Sequence, residues 1–292
     1  MSIPRVFTAM ITPFDDMQEV DFDKAASLAD ALIKRGSDAL VVSGTTGEAP
    51  TLTKEEKKTL FRVVKEAAAG RAEVWAGTGN NDTRSSIGMN RMAEELGMDG
   101  VLCITPYYNK PTQEGLYQHF RALAQNTSLP IMVYNVPGRT GVNMLPETVA
   151  RLADFETIAA VKEASGNVEQ TARLVRMLPE RIRVYSGDDA LTLPMMAVGA
   201  AGVVSVASHV AGMDIRAMID AYLEGRVQEA LQLHQKLMPV FKVMFICSNP
   251  IPVKEAMNLL GYQVGGFRLP LTHASAAELD EIRRVLQEYG AL

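Results

Sequence analysis

Eight short apolar runs, bounded by Gly, Pro or Asn turns, alternate with helical patterns along most of this 292-residue chain, and this alternation restricts the fold more than any other feature. The runs are VFTAMITPF from Val6, ALVVSGTTG from Ala39, EVWAGTGNN from Glu73 and GVLCITPYYN from Gly100. They continue with PIMVYNVPG from Pro130, TIAAVKEASG from Thr157, IRVYSGDD from Ile182 and AGVVSVASH from Ala201. Between them lie amphipathic segments such as TKEEKKTLFRVVKEAAAG, in which Thr53 and Glu56 form a capping box and Gly70 follows the end. Near-continuous apolar strands separated by helices predict a parallel sheet covered on its faces. Eight such units over about 220 residues fit a closed (β/α)8 barrel, a TIM barrel, better than an open sheet. After MDIRAMIDAYLEG come three helical segments without a strand, RVQEALQLHQKLMPVFKVMF, PIPVKEAMNLLG and SAAELDEIRRVLQEYG, the last opened by Ser275 and Glu278 as a second capping box. The expected division is a catalytic barrel over residues 1–224 and a three-helix C-terminal domain over 225–292.

Composition removes several function classes. A hydrophobic content of 47% supports a large core, and a formal charge of −5 with scattered Lys and Arg disfavours nucleic acid. Residues 190–213 carry no charge, but Gly, Ala and Ser dominate them, so they read as a short helix and a buried strand rather than a membrane span. The two cysteines, Cys103 and Cys247, form no CxxC spacing and are expected as buried, inert thiols in a reducing compartment. With no signal-like start, the expectation is a cytoplasmic protein.

In a (β/α)8 barrel the chemistry lies at the C-terminal ends of the strands. Those ends read Thr12, Ser43 to Glu48, Thr78 to Asn81, Thr105 to Asn109, Tyr134-Asn135, Lys162-Glu163, Ser186 to Asp189, and Ser205 with Ser208. They hold no HxH or HExxH set, no GxSxG elbow and no phosphate-binding loop. One lysine, several tyrosines and threonine hydroxyls remain. A poorly solvated lysine loses its proton readily and can add to a carbonyl, and a phenol such as Tyr134 or Tyr108, linked through Thr45, can relay protons. The same lysine can equally be a strand-end charge, with Glu163 next to it, although alternation sends that carboxylate to the opposite face. The GTTGE loop reads as a tight turn whose glycines supply unusual backbone angles and whose amides suit an anion. Asp188 and Asp189 read as helix N-caps, and two carboxylates after strand 7 disfavour a phosphorylated substrate. Arg139, in NVPGRTG, is the nearest cation for a substrate carboxylate or, equally, a surface ion pair.

GTTGE at Gly44 to Glu48, YNVPGRTG at Tyr134 to Gly141 and VKEASG at Val161 to Gly166 together resemble the dihydrodipicolinate synthases, in the pyruvate-dependent class I aldolase superfamily that includes N-acetylneuraminate lyase. The resemblance spans essentially the whole chain; the Arg139 context and SNPIPVK at Ser248 to Lys254 are similar to the synthase subgroup. It implies that Lys162 forms an imine with pyruvate and that Tyr134 shuttles protons. Thr45 would link Tyr134 to Tyr108, the latter entering from a neighbouring subunit. Thr46 and the loop amides would hold the pyruvate carboxylate, Arg139 the carboxylate of L-aspartate 4-semialdehyde, and Gly187 and Val204 would line the pyruvate pocket. It also implies a first committed step of lysine and diaminopimelate biosynthesis, no metal or organic cofactor, and a homotetramer built as a dimer of dimers.

The lysine-inhibitor site that the resemblance implies would comprise Ala49, Lys54, Lys57, Asn81, Ser85 and Tyr107. Lys54 and Lys57 stand where the inhibited pattern has histidines, and Ser85 where it has a glutamate, so weak or absent lysine inhibition is expected. Two other readings stay open: an aldolase for a sugar acid, which has no need of the Arg139 guanidinium, and a metabolite-binding barrel without catalysis.

Overall fold

A computed structural model describes residues 3–292. Its strands are β1 (Val6–Ala9), β2 (Ala39–Val42), β3 (Glu73–Gly77), β4 (Gly100–Ile104), β5 (Ile131–Asn135), β6 (Ile158–Glu163), β7 (Arg183–Ser186) and β8 (Gly202–Ser205), and they close into a barrel in chain order. β1 pairs with β2, and β3 to β8 pair in succession, all parallel. The strands are shorter than the apolar runs because the polar tips leave the hydrogen-bond ladder for the loops that follow.

The helices following the first four strands are α1 (Phe22–Lys34), α2 (Lys54–Ala68), α3 (Thr83–Glu95) and α4 (Gln113–Ala124). Two short ones, α5 (Pro137–Thr140) and α6 (Pro146–Ala150), bridge β5 and β6. The sequence pattern left both unassigned, since four or five residues are too few to show a period. Proline in their first turn supplies the helical φ instead. Then come α7 (Val168–Met177), α8 (Thr192–Met196) and α9 (Ser208–Leu223), and after Gly225 α10 (Val227–Val243), α11 (Ile251–Leu259) and α12 (Ala276–Tyr289). Both expected capping boxes form, Thr53 with Glu56 opening α2 and Ser275 with Glu278 opening α12.

The described residues divide into two compact units, one comprising the residues up to Val74 with Ser205–Leu292, the other Trp75–Val204. In the first, α1 packs on α2, α10 on α9, and α12 on both α10 and α11. In the second, α3 packs on α4 and α6 on α7 beside the β4 to β7 ladder. The uncharged stretch 190–213 forms α8 and β8 and enters α9, and no described helix is long and apolar enough to cross a membrane. Cys103 is buried, and desolvation pushes its thiol up to about 11. Cys247 departs from expectation: it lies in the turn beyond α10 and is partly exposed, beside exposed Phe245 and Ile246.

Candidate active site

Within the unit Trp75–Val204, β6 ends with Lys162 and Glu163 on opposite faces. Lys162 is only 6% exposed and is in register with Tyr134 on β5 and Tyr185 on β7, so the three side chains share one layer. The Lys162 Nζ lies 4.2 Å from the centre of the Tyr134 ring. Burial drives its amine down from 10.5 to about 8; Asp189 opposes this and Arg139 reinforces it. Among the described residues Lys162 has no ion-pair partner. Glu163 is occupied elsewhere: its carboxylate accepts from the Ser165 amide at 2.7 Å, Asn135 Nδ2 at 3.1 Å and Gln170 Nε2 at 3.3 Å. Asn135 in turn donates to Asn143 Oδ1 at 2.8 Å and accepts from the Met144 amide at 2.9 Å. This network ties the ends of β5 and β6 to the segment following α5, which bears Arg139, and leaves the salt-bridge reading of Lys162 without a partner.

Gly187 is required by space. A Cβ there would come within 2.6 Å of Ala164 Cβ and 3.1 Å of Lys162 Cε, so a side chain would displace the lysine. Of the two carboxylates that follow, only Asp188 caps, accepting from the Ala190 amide at 2.9 Å. Asp189, expected as a cap as well, is instead 2% exposed, and its charge favours the protonated form of Lys162. Asp188 holds the cap position, and Asp189 is the first residue of the turn Asp189–Leu191 that it caps. Val204 is buried in β8, while Arg139 is exposed on α5. Tyr108 is 89% exposed in a left-handed backbone conformation, φ 70°, and is not packed in this layer.

In the other unit the GTTGE loop follows β2. Here one expectation is corrected. The left-handed residues are Ser43 (φ 58°) and Glu48 (φ 54°), and neither Gly44 nor Gly47 has positive φ. Gly47 is needed for close approach, since a Cβ would lie 3.0 Å from the Ser43 backbone and 3.1 Å from Met10 O. Strain held at non-glycine positions is common where a loop must present specific groups. The amides of Gly47, Glu48 and Ala49 donate within the turn, whereas those of Thr45 and Thr46 have no partner among the described residues. Thr12 Oγ1 donates to Gly47 O at 2.7 Å, and Asn249 Nδ2 donates to Thr46 Oγ1 at 2.9 Å. Glu48 forms a fully buried ion pair with Lys254 at 2.8 Å, and Lys254 also donates to Gly266 O and lies 4.2 Å from the Phe14 ring centre.

The residues of the implied inhibitor site divide likewise. Ala49 and Lys57 are half-buried and Lys54 exposed, with burial lowering the Lys57 pKa. In the other unit Asn81 O accepts from Asn109, the Ser85 amide donates to Asp82, and Tyr107 Oη donates to Asn80 at 3.5 Å.

Tyr185 escaped the sequence reading, Asp189 was read only as a cap, and Asn249 entered it only within the stretch SNPIPVK. Alternation backward from Ser186 would have placed Tyr185 in the lysine's layer. Asn249 is distant in sequence from Thr46, so nothing local to SNPIPVK indicated that contact.

The chain matches the model of the dihydrodipicolinate synthetase family over residues 2–289. It is 52% identical over 292 residues to the 4-hydroxy-tetrahydrodipicolinate synthase of Synechococcus sp. (strain JA-2-3B'a(2-13)), covering 100% of this chain and 95% of that one. Among solved structures it is similar to the dihydrodipicolinate synthase of Cyanidioschyzon merolae, crystallised with lysine bound, at 48% identity and a TM-score of 0.97 over 99% of this chain and 98% of that one. The enzyme of Acinetobacter baumannii, solved in complex with pyruvate, is 38% identical with a TM-score of 0.97 over 100% of each chain.

Proposed function

The chain belongs to the dihydrodipicolinate synthetase family, and from that premise we propose that it is a lyase, a 4-hydroxy-tetrahydrodipicolinate synthase, that condenses pyruvate with L-aspartate 4-semialdehyde in lysine and diaminopimelate biosynthesis. The observation that carries the chemistry is Lys162: buried against Tyr134, without an ion pair, and holding its amine at about 8. At that value about a tenth of the amine is neutral at pH 7, against a few ten-thousandths for an ordinary lysine.

The neutral Nζ attacks C2 of pyruvate, and loss of water from the carbinolamine leaves a protonated imine. Removal of a C3 proton gives the enamine, whose C3 adds to the aldehyde carbon of the semialdehyde and whose new alkoxide takes up a proton. The amine of that substrate then attacks C2, closes the ring and releases Lys162, so the overall reaction yields one cyclic hydroxy acid and one water. Tyr134, next to Nζ, is the group that moves protons in these steps, with Thr45 and Tyr108 as its relay. Asp189 supplies the negative charge that favours the cationic imine. Thr46 and the unpartnered loop amides take the pyruvate carboxylate, Gly187 and Val204 line the space for its carbons, and Arg139 takes the second carboxylate. Residues 1–224 act as the catalytic barrel and 225–292 as its helical extension. A neighbouring subunit of a homotetramer delivers Tyr108, which its 89% exposure in this chain supports.

The test is turnover with pyruvate and either aspartate semialdehyde or a panel of sugar aldehydes. Turnover confined to the semialdehyde, with KM for it rising at least ten-fold in Arg139→Ala, is the expected result. Preference for a sugar aldehyde returns the chain to the sugar-acid aldolases, and no turnover with either contradicts the synthase assignment.

A further inference from the structure

Asn249 stands outside every role assigned above, yet it is 6% exposed and directs its side-chain amide at Thr46 Oγ1, 2.9 Å away, in a residue itself 4% exposed. We infer that Asn249 is a positioning residue that fixes the Thr46 hydroxyl as a hydrogen-bond donor and thereby selects an α-keto-acid carboxylate; this rests on the reading that Thr46 takes that carboxylate.

A threonine hydroxyl has one proton and two lone pairs. With an N–H donor occupying one lone pair, its proton is left for another acceptor. Added to the unpartnered amides of Thr45 and Thr46, this gives the loop three donors on two successive residues. A carboxylate offers only acceptors and matches such a set, whereas an aldehyde or simple ketone has no second oxygen to use it.

The segment is built to hold Asn249 there. The Ile251 amide donates to Ser248 O at 2.9 Å, and the Lys254 amide to Pro250 O at 3.1 Å, so Asn249 sits on the entry turn of α11. Lys254, on the same helix, forms the buried pair with Glu48, two residues beyond Thr46. Two links, 46 to 249 and 48 to 254, therefore pin one short loop to one helix start. A single link would let the loop pivot. The charge of Glu48 is consumed by Lys254 and by the Arg268 amide at 3.3 Å, both on the helical extension.

The experiment is a double-mutant cycle on the full-length enzyme with Asn249→Ala, Thr46→Val and both, measuring kcat and KM for each substrate. Asn249→Ala is expected to raise KM for pyruvate about ten-fold, the worth of one hydrogen bond to a charged group, with KM for the semialdehyde and kcat within two-fold. The double variant is expected to be no worse than Thr46→Val. Asn249→Asp, which can only accept, is expected to raise KM for pyruvate further. If Asn249→Ala does not fold by circular dichroism, Asn249→Ser replaces it in the same cycle. An unchanged pyruvate KM, equal losses in both KM values, or effects that multiply in the double variant each overturn the proposal. Wild-type enzyme that shows no pyruvate saturation at all sinks the synthase reading instead, so the two failures are distinct.

Discussion

Lys162 is buried without an ion-pair partner among the described residues. Desolvation, the larger influence, lowers its pKa to about 8, and the Asp189 carboxylate keeps it from falling further. The proposed mechanism makes the neutral amine the nucleophile, so the rate of imine formation is expected to rise with pH and level off above about 8. Stopped-flow with pyruvate alone measures this, and a flat profile between pH 6 and 9 contradicts it. Asp189→Asn removes the opposing charge and should move the midpoint to lower pH; an upward shift would assign the carboxylate a different role. The sequence made Lys162 legible because its apolar run and its place at a strand end are local properties. The same pattern separated it from Glu163, which Asn135, Gln170 and Ser165 hold on the other face. Asp189 was misread because capping and inward placement look alike in the pair of aspartates; only Asp188 bonds to the Ala190 amide.

At the scale of elements, the GTTGE loop depends on chain more than two hundred residues away. Lys254 and Glu48 have fully buried side chains and bond at 2.8 Å. Removing one partner of such a pair leaves an uncompensated charge, so Lys254→Met should cost about 3–5 kcal/mol of stability. Combining it with Glu48→Gln should recover most of that loss, and urea melts of both variants check it. Loss without recovery would show that the pair contributes through geometry alone. The loop's motif was visible in the sequence, but its mechanics were not. Left-handed conformations fell on Ser43 and on Glu48, the latter held by Lys254 and the Arg268 amide, where propensity points to glycine. α5 and α6 were hidden because four and five residues hold too few turns for a helical period to repeat.

At the scale of the whole molecule, the barrel was the most legible feature, because eight repetitions of one pattern average out local error in strand limits. Assembly is a different matter, and two predictions belong here. Exposed Tyr108, in a left-handed backbone conformation, is expected to complete a neighbour's site. Co-expressed Tyr108→Ala and Lys162→Ala chains should then recover activity that neither has alone, and no recovery in mixed oligomers contradicts this. The second concerns feedback. Lys54 and Lys57 place two amines where the inhibited pattern has histidines, and Ser85 lacks the carboxylate that would receive a cationic effector. Weak or absent inhibition by lysine follows, and micromolar inhibition in a steady-state assay would refute it. The central claim, an imine between Lys162 and pyruvate, is tested most directly by borohydride reduction in the presence of pyruvate followed by peptide mass mapping. The account predicts a permanent pyruvate-derived adduct on Lys162, absent when pyruvate is omitted; an unmodified Lys162, or an adduct on another lysine, would contradict it.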